Sequence, residues 1–298
     1  LQGMAPGSYW VKAVATGNTG QARDSVNIYL RGPVAVAPLP TGVHGGINYI
    51  DETTVTLVLE DPAGKKSFAF AIGEFSNWLP NDAGYMKRTP DGKAYWVTLS
   101  GLTKKKEYAY QYYVDGKLKL ADPYADKVLD PWSDKWIPKS NYPDLKAYPF
   151  DKTVGVVSLF QTSQVSYPWE VTSFVPPAVD GTQSDLLVYE LLLRDFTDSS
   201  GILTAMEKLP YLKNLGVNAV QLMPVMEFDG NESWGYAPNF FFAPDKFYGR
   251  KTDYKRFIDE CHKLNMAVVL DIVTNHCFGL SPLAMMYFDP LTGTGQPL

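Results

Sequence analysis

The apolar positions change rhythm along the chain, and each change marks a different kind of structure. Residues 8–30 hold two runs, SYWVKAVA and ARDSVNIYL, joined by TGNTGQ. They predict a hairpin, the last strands of an all-β domain, since a lone hairpin is marginal in water. The segment RGPVAVAPLPTG (31–42), with its prolines and glycines, reads as an interdomain linker. From 47 to about 122, TVTLVLED, SFAFAIGEF, YWVTLSGL and EYAYQYYVDG alternate or run apolar, separated by DPAGKK, NDAG, TPDGK and VDGK. Turn signals at such short intervals predict an immunoglobulin-like β-sandwich. Residues 123–183 are rich in Pro, Trp and Tyr without a period and read as an irregular strap, with VGVVSLF as a strand candidate.

After GTQSD the period turns helical. LLVYELLLRDF (186–196) is a strand candidate, and ILTAMEKLPYLKNLG then places Leu203, Met206, Leu209, Leu212 and Leu215 on a stripe closed by Gly216. VNAVQLMP (217–224) is a second strand. DYKRFIDECHKLN puts Tyr254, Phe257, Ile258, Cys261 and Leu264 on one helical face, with Thr252 or Asp253 as cap. MAVVLDIV is a third strand and reads as fully buried. The order β-α-β-α-β predicts a parallel sheet covered by helices, either a barrel or an open doubly wound sheet. No Gly-rich phosphate loop follows any of these strands, and a long aromatic loop follows the second, which suits a barrel. The expected division is 1–36 (end of an N-terminal β-domain plus linker), 37–150 (sandwich), 151–183 (strap) and 184–298 (α/β part).

Polar residues gather where the strands end. VVLDIVTNHCFG carries Asp271 within an apolar run and closes on Asn275 and His276. A buried charge is costly unless it is paired or used. Arg194–Asp195, Glu227, Trp234 and Tyr236 also lie at or just past strand C-termini, where parallel α/β folds bind ligands. Singly, each has a structural reading: an ion pair for Arg194–Asp195, a solvated Glu227, a loop-packing Trp234, a satisfied His276.

Composition narrows the partners. The 298 residues are 45% hydrophobic and 20% charged, as in globular chains of about two domains. The net charge of −5 argues against nucleic acid or an anionic membrane as main partner. The aromatic share of 14% fits large cores or surfaces that stack on sugar rings. Cys261 and Cys277 lack metal-type spacing and read as free and buried. No run reaches the roughly 18 apolar residues of a membrane span. The chain opens LQGMAPGSYW, without initiator Met or signal peptide, as a processed protein or an excised fragment would.

DIVTNH (271–276) resembles the Asp-x-x-x-Asn-His signature on the third strand of the alpha-amylase family, glycoside hydrolase family 13. GVNAVQLMPV and SWGYAPNFFFAPDKFYG resemble that family's neighbouring segments. Glu190 to Phe196, Glu-x-x-x-Arg-Asp-Phe, is similar to the first strand of its branching-enzyme and pullulanase-like members. The resemblance covers about 184–298 and implies a multidomain fold: an immunoglobulin-like β-sandwich followed by about three β/α units of a TIM (β/α)8 barrel. AIGEFSNW and YQYYVDGKLKLADPY resemble a family 48 carbohydrate-binding module, with Trp78 at the position that stacks on glucan. Leu118 replaces the second binding Trp and Gln111 a frequent Lys, which favours a structural module over a binding one.

The resemblance also implies residue roles. Tyr236 would stack on the sugar at the cleavage site, beside Trp234, and His276 would hydrogen-bond that sugar's hydroxymethyl oxygen. Asp271 would hold neighbouring residues through an arginine on the next strand. Asn275 would brace the loop and in many relatives ligates calcium, so calcium is an optional cofactor and none is required. The expected partner is an alpha-glucan such as starch or glycogen, with the oligomeric state left open. Members with N-terminal β-modules are often exported, so a secreted, periplasmic or cell-surface location is the expectation. Retaining glycosidases need two carboxylates about 5–5.5 Å apart, and in this family these follow the fourth and fifth strands, with a third carboxylate after the seventh. The nucleophile and acid/base are therefore expected beyond Leu298, and the 298 residues alone are expected to be inactive. The parent is expected to be a retaining alpha-glucan hydrolase; a glucan-branching transferase and a non-catalytic glucan-binding protein are the alternatives.

Overall fold

The computed structural model describes residues 3–176, 186–289 and 294–295. The expected boundary between strap and α/β part, at 183/184, lies outside them. The chain forms two compact units, one of residues 1–122 and 150–163, the other of 123–149 and 164–297. The 123–149 half of the Pro/Trp/Tyr-rich segment thus groups with the α/β part, and the candidate strand VGVVSLF groups with the β-rich unit.

In the β-rich unit, β1 (Gly7–Gly17) and β2 (Gly20–Leu30) make the expected hairpin, in register from Gly7 opposite Leu30 to Gly17 opposite Gly20. Two antiparallel sheets follow. One is ordered β3 (Gly46–Asp51), β4 (Thr54–Glu60), β7 (Ala94–Leu99), β6 (Lys87–Arg88). In the other, β8 (Glu107–Val114) is flanked by β5 (Ala69–Gly73) on one side. On its other side lie β9 (Leu118–Leu120), opposite Tyr112–Val114, and, beyond the two-residue strand β10 (Val128–Leu129) in sequence, β11 (Val157–Gln161), opposite Glu107–Tyr110. This architecture is consistent with the expected sandwich. The linker is not free chain: Ala37, Leu39 and Val43 pack on Val58, Ala94 and Trp96, and the Trp96 indole donates to Ala37 O at 3.1 Å. An apolar Val-Ala-Pro-Leu-Pro run gains by covering a sheet face, which its proline content concealed in the sequence.

The core of this unit holds a polar knot. Tyr110 and Tyr112 both donate to Asp122 Oδ2 at 2.7 Å, and Asp122 N donates to Ser158 Oγ at 2.6 Å. All four residues are fully buried. Burial, reinforced by the adjacent carboxylate, raises both phenols well above their ordinary range, so they stay protonated donors.

In the α/β unit, β12 (Val188–Leu191), β13 (Ala219–Leu222) and β16 (Ala267–Leu270) form a parallel sheet in that order. Between β13 and β16 a hairpin, β14 (Met226–Phe228) and β15 (Pro238–Pro244), is inserted. The helices depart from expectation in informative ways. The 186–196 strand stops at Leu191, and Leu193–Phe196 turns into a one-turn helix, α1. The single helix expected after 202 is two, α2 (Ile202–Met206) and α3 (Leu209–Asn214), because Pro210 sits in the first turn of the second and cannot donate backward. The break resets the stripe: Ile202, Ala205, Leu209 and Leu212 are buried, whereas Leu215 is exposed. Helix α4 (Lys251–Lys263) begins before Thr252, with Arg250 as N-cap and Asp253 Oδ2 accepting from Arg250 N at 2.9 Å. Tyr254, Phe257 and Cys261 bury as expected and join Leu212, Val220 and Leu222 in one core. Cys277 is only partly buried. A last short helix, α5, spans Pro282–Met286.

VVLDIV is not fully buried. β13 is the central strand; β16 lies beside it with Val269 and Leu270 exposed, and Ile272 is 64% exposed. No described helix is long and apolar enough to cross a membrane.

Asp122→Ala should destabilise the β-rich unit by about 3 kcal/mol, because it strands two buried hydroxyls, while Tyr112→Phe should cost about 1 kcal/mol. Urea denaturation of the three proteins checks the ratio; equal losses would refute a shared acceptor.

Candidate functional site

Leu191, Leu222 and Leu270 lie side by side in the parallel register, so all three strands deliver their following residues to one end of the sheet. Met223 N donates to Leu191 O and Asp271 N to Leu222 O, both at 3.0 Å, extending the alignment one residue beyond the strands. The residues singled out in the sequence meet here.

Tyr236 arrives on the β14–β15 hairpin. Its placement depends on Gly235, which has φ +92° and whose backbone lies so close to Pro224 that a Cβ would stand 2.3 Å from Pro224 O. Only glycine tolerates both conditions. The Tyr236 hydroxyl donates to Asp271 Oδ2 at 2.6 Å, and His276 Nε2 lies 2.8 Å from Tyr236 O. Asn275 Oδ1 lies 3.2 Å from His276 Nδ1, and Phe278 N donates to Pro238 O at 2.8 Å. The loops after β13 and β16 are thus laced together through Tyr236, Asp271 and His276. The Asp271 carboxylate, then desolvation, push the Tyr236 phenol up to about 12, with Glu190 adding to the effect. Glu190 itself accepts from Gln221 Nε2 at 3.3 Å.

The mouth is open: Trp234 is 59% and Tyr236 40% exposed, and Asn275 and His276 face solvent. An exposed aromatic plane beside a carboxylate, an amide and an imidazole suits a ring that is apolar on its faces and polar at its rim. Asp271, expected to engage an arginine, is held here by a neutral phenol.

Arg194 does two things. It binds Asp195 through both carboxylate oxygens at 2.7 and 2.8 Å, which holds the Asp195 carboxyl below its ordinary range, and it donates to Glu232 O. It therefore ties the loop after β12 to the hairpin that carries Trp234. Glu227, which reads in sequence as solvated, is buried and paired with Lys246. Sequence reasoning missed Lys246, Asp245 and Asp134. The available signal was a charged pair, Asp245–Lys246, directly after the apolar run FFFAP.

Among the described residues, no group of three or more His, Cys, Asp or Glu side chains is placed to hold a metal ion. Asn275 Oδ1, facing His276 at 3.2 Å, does not by itself constitute a calcium site. In the β-rich unit Trp78 is 6% exposed and offers no open stacking plane; it lines a cavity of about 460 Å³ with Tyr29, Arg31, Phe70, Tyr113 and Lys119. Gln111, at the position of the frequent lysine, is fully buried and donates to Val154 O and Val156 O at 2.9 and 2.8 Å.

Residues 180–280 match the family model of the alpha amylase catalytic domain. That segment is similar to the alpha-amylase family. A malto-oligosyltrehalose trehalohydrolase of Deinococcus radiodurans is 44% identical over 110 residues, 35% of this chain and 18% of that protein. A 1,4-alpha-glucan branching enzyme of Rhodospirillum rubrum is 28% identical over 230 residues, 73% of this chain and 28% of that protein. The chain thus spans less than a third of the length of these curated relatives. Among solved structures, GBS pullulanase SAP in complex with maltotetraose superposes with a TM-score of 0.60 at 23% identity, over 85% of this chain and 36% of that one. The pneumococcal glycogen-degrading factor SpuA gives 0.61 at 23%, over 86% and 31%. At such identity these two establish likeness of fold. The match falls on the sheet and loops that bring Tyr236, Asp271 and His276 together.

Gly235→Ala should displace the Trp234–Tyr236 turn at a cost of about 2 kcal/mol, seen as faster amide exchange at 229–237. Unchanged exchange would refute the steric argument. Asp271→Asn should bring the Tyr236 phenol back toward its ordinary value near 10, read by ultraviolet pH titration against Tyr236→Phe; an unmoved transition would break the assigned hydrogen bond.

Proposed function

We propose that this chain supplies the first three strands of the glucan-binding mouth of a retaining alpha-glucan hydrolase in the alpha-amylase family. The observation that carries the reading is the Tyr236–Asp271–His276 linkage at one end of a parallel sheet. In this reading Tyr236 stacks on the sugar at the cleavage site, with Trp234 beside it. His276 bonds the sugar's hydroxymethyl oxygen; both ring nitrogens have partners in the free site, so sugar binding exchanges one of those bonds for a hydroxyl. Asp271 orients its neighbours and Asn275 braces the loop. Calcium, if used, would need ligands besides Asn275. The nucleophile and acid/base are assigned to the barrel strands that complete the catalytic domain, so residues 1–298 alone bind but do not cleave. The β-rich unit is read as a structural module of the family 48 kind, because Trp78 is enclosed and Gln111 is spent on internal bonds. The 28% identity over 230 residues with a branching enzyme favours a second reading, glucan-branching transfer by the same double displacement.

The test uses the full polypeptide that carries this sequence. It should release reducing ends from starch, pullulan or glycogen; new α-1,6 linkages would favour the transferase reading, and inertness on all three would end both. In the same protein Tyr236→Ala should weaken maltoheptaose binding about ten-fold or more, the loss of one stacked aromatic and its hydroxyl. Trp78→Ala should lower thermal stability and leave binding nearly unchanged; equal losses of binding would make the β-rich unit a binding module.

A further inference from the structure

The base of the hairpin that carries Trp234 and Tyr236 encloses a charged cluster whose composition is unusual for a merely structural ion pair. Lys246, directly after β15, is 3% exposed. Its ammonium donates to Glu227 of β14 and lies 3.2 Å from Asp134 Oδ1, while its backbone N–H donates to Glu227 Oε1 at 3.1 Å. Asp245, equally buried, has its carboxylate on Phe247 N at 2.8 Å. Asp134 belongs to a short turn organised by carboxylates: Asp134 Oδ2 accepts from Asp130 N at 2.9 Å and Asp130 Oδ1 from Trp132 N at 2.7 Å. A second tie runs between the same two segments, from Asn231 Nδ2 to Ser133 O at 2.9 Å.

We infer that Lys246 is the positioning residue of the Tyr236 hairpin, clamping its base through Glu227 and Asp134 to the turn at 130–134. The inference rests on the reading of Tyr236 as the sugar-stacking residue. Lys246 touches no reacting atom; it acts through the hairpin. One cation faces the buried carboxyls of Glu227 and Asp245 and the partly buried one of Asp134, with Asp130 on the turn and the phenols of Tyr248 and Tyr254 near Asp245. A dry site cannot hold two uncompensated negative charges, so the cluster keeps a proton near neutrality. Desolvation pushes Glu227 up to about 8 and Asp245 up to about 7, against the opposing pull of Lys246. Desolvation alone would lower Lys246, but the carboxylates outweigh it and keep it charged.

The sign follows from linkage. A carboxyl whose folded value lies above its unfolded one is held protonated on folding, and its contribution is lost as pH rises through the folded value. The clamp is therefore most favoured in acid, and that advantage falls as pH rises from the ordinary carboxylate range to about 8, the higher of those two folded values.

The test compares wild type, Lys246→Met and Glu227→Gln in the full polypeptide, by KM for maltoheptaose from pH 5.5 to 9 and by amide exchange. Wild type should lose affinity on the alkaline side. Lys246→Met should raise KM about ten-fold and lose protection at 226–244 but not at 94–114. Glu227→Gln still accepts from the ammonium and removes one of the two acids, so it should fold and weaken the alkaline limb. An alkaline limb unchanged by Glu227→Gln, or exchange at 226–244 unmoved by Lys246→Met, overturns the inference. If Lys246→Met does not fold, the Glu227→Gln profile decides. If wild type neither binds nor turns over maltoheptaose, the functional reading fails, and the exchange comparison still judges the clamp.

Discussion

The parallel register of β12, β13 and β16 is the constraint on which the candidate site depends. Hydrogen bonding between parallel strands fixes not only spacing but level: with Leu191, Leu222 and Leu270 abreast, the three following loops must start from one plane. A slip of one residue would turn Asp271 from the mouth toward the helix layer. Every later contact, Tyr236 to Asp271, His276 to Tyr236 O, Arg194 to Glu232 O, presupposes that level start. The helices serve it indirectly, since Leu212, Phe257 and Cys261 give the sheet one apolar face to press against.

The aromatic side chains of the two units serve packing in some places and stand in solvent in others. In the β-rich unit Tyr110, Tyr112 and Trp78 are enclosed, and the two phenols are consumed by Asp122. In the α/β unit Trp234 and Tyr236 stand in solvent on a turn whose glycine fixes their direction. A high aromatic content therefore reflects large cores in both units, with Trp234 and Tyr236 exposed at the end of the parallel sheet. What distinguishes them is burial, which composition does not encode.

Much of this was legible in the sequence where local rules act alone. The hairpin at 7–30, the turn-punctuated sheets and the β-α-β-α-β order follow from period and turn chemistry, and the pattern of Asp271, Asn275 and His276 after an apolar run located one end of the sheet. The failures share a cause: each needed a neighbour distant in sequence. VVLDIV reads as buried because parallel strands are apolar on both faces, yet of the three described parallel strands only β13 is flanked on both sides. Glu227 reads as solvated because its cation lies 19 residues away and its second contact, Asp134, still further upstream. Pro210 was an exception, a local signal outweighed by an attractive stripe: Leu203 to Leu215 fits a helix only if the missing N–H is ignored.

The two carboxylates that hold the hairpin do so in opposite settings. At the tip, Asp271 is held by a neutral hydroxyl at an exposed position, where water can replace the partner at little cost. At the base, Glu227 is held by a cation in a dry site, where no solvent can replace the partner and separation would strand a charge. If the pairings were interchanged, the buried end would lose its cation and the exposed end would hold one that solvent screens. The observed order places the costly contact at the dry base of the hairpin and the cheap one at its solvent-facing tip.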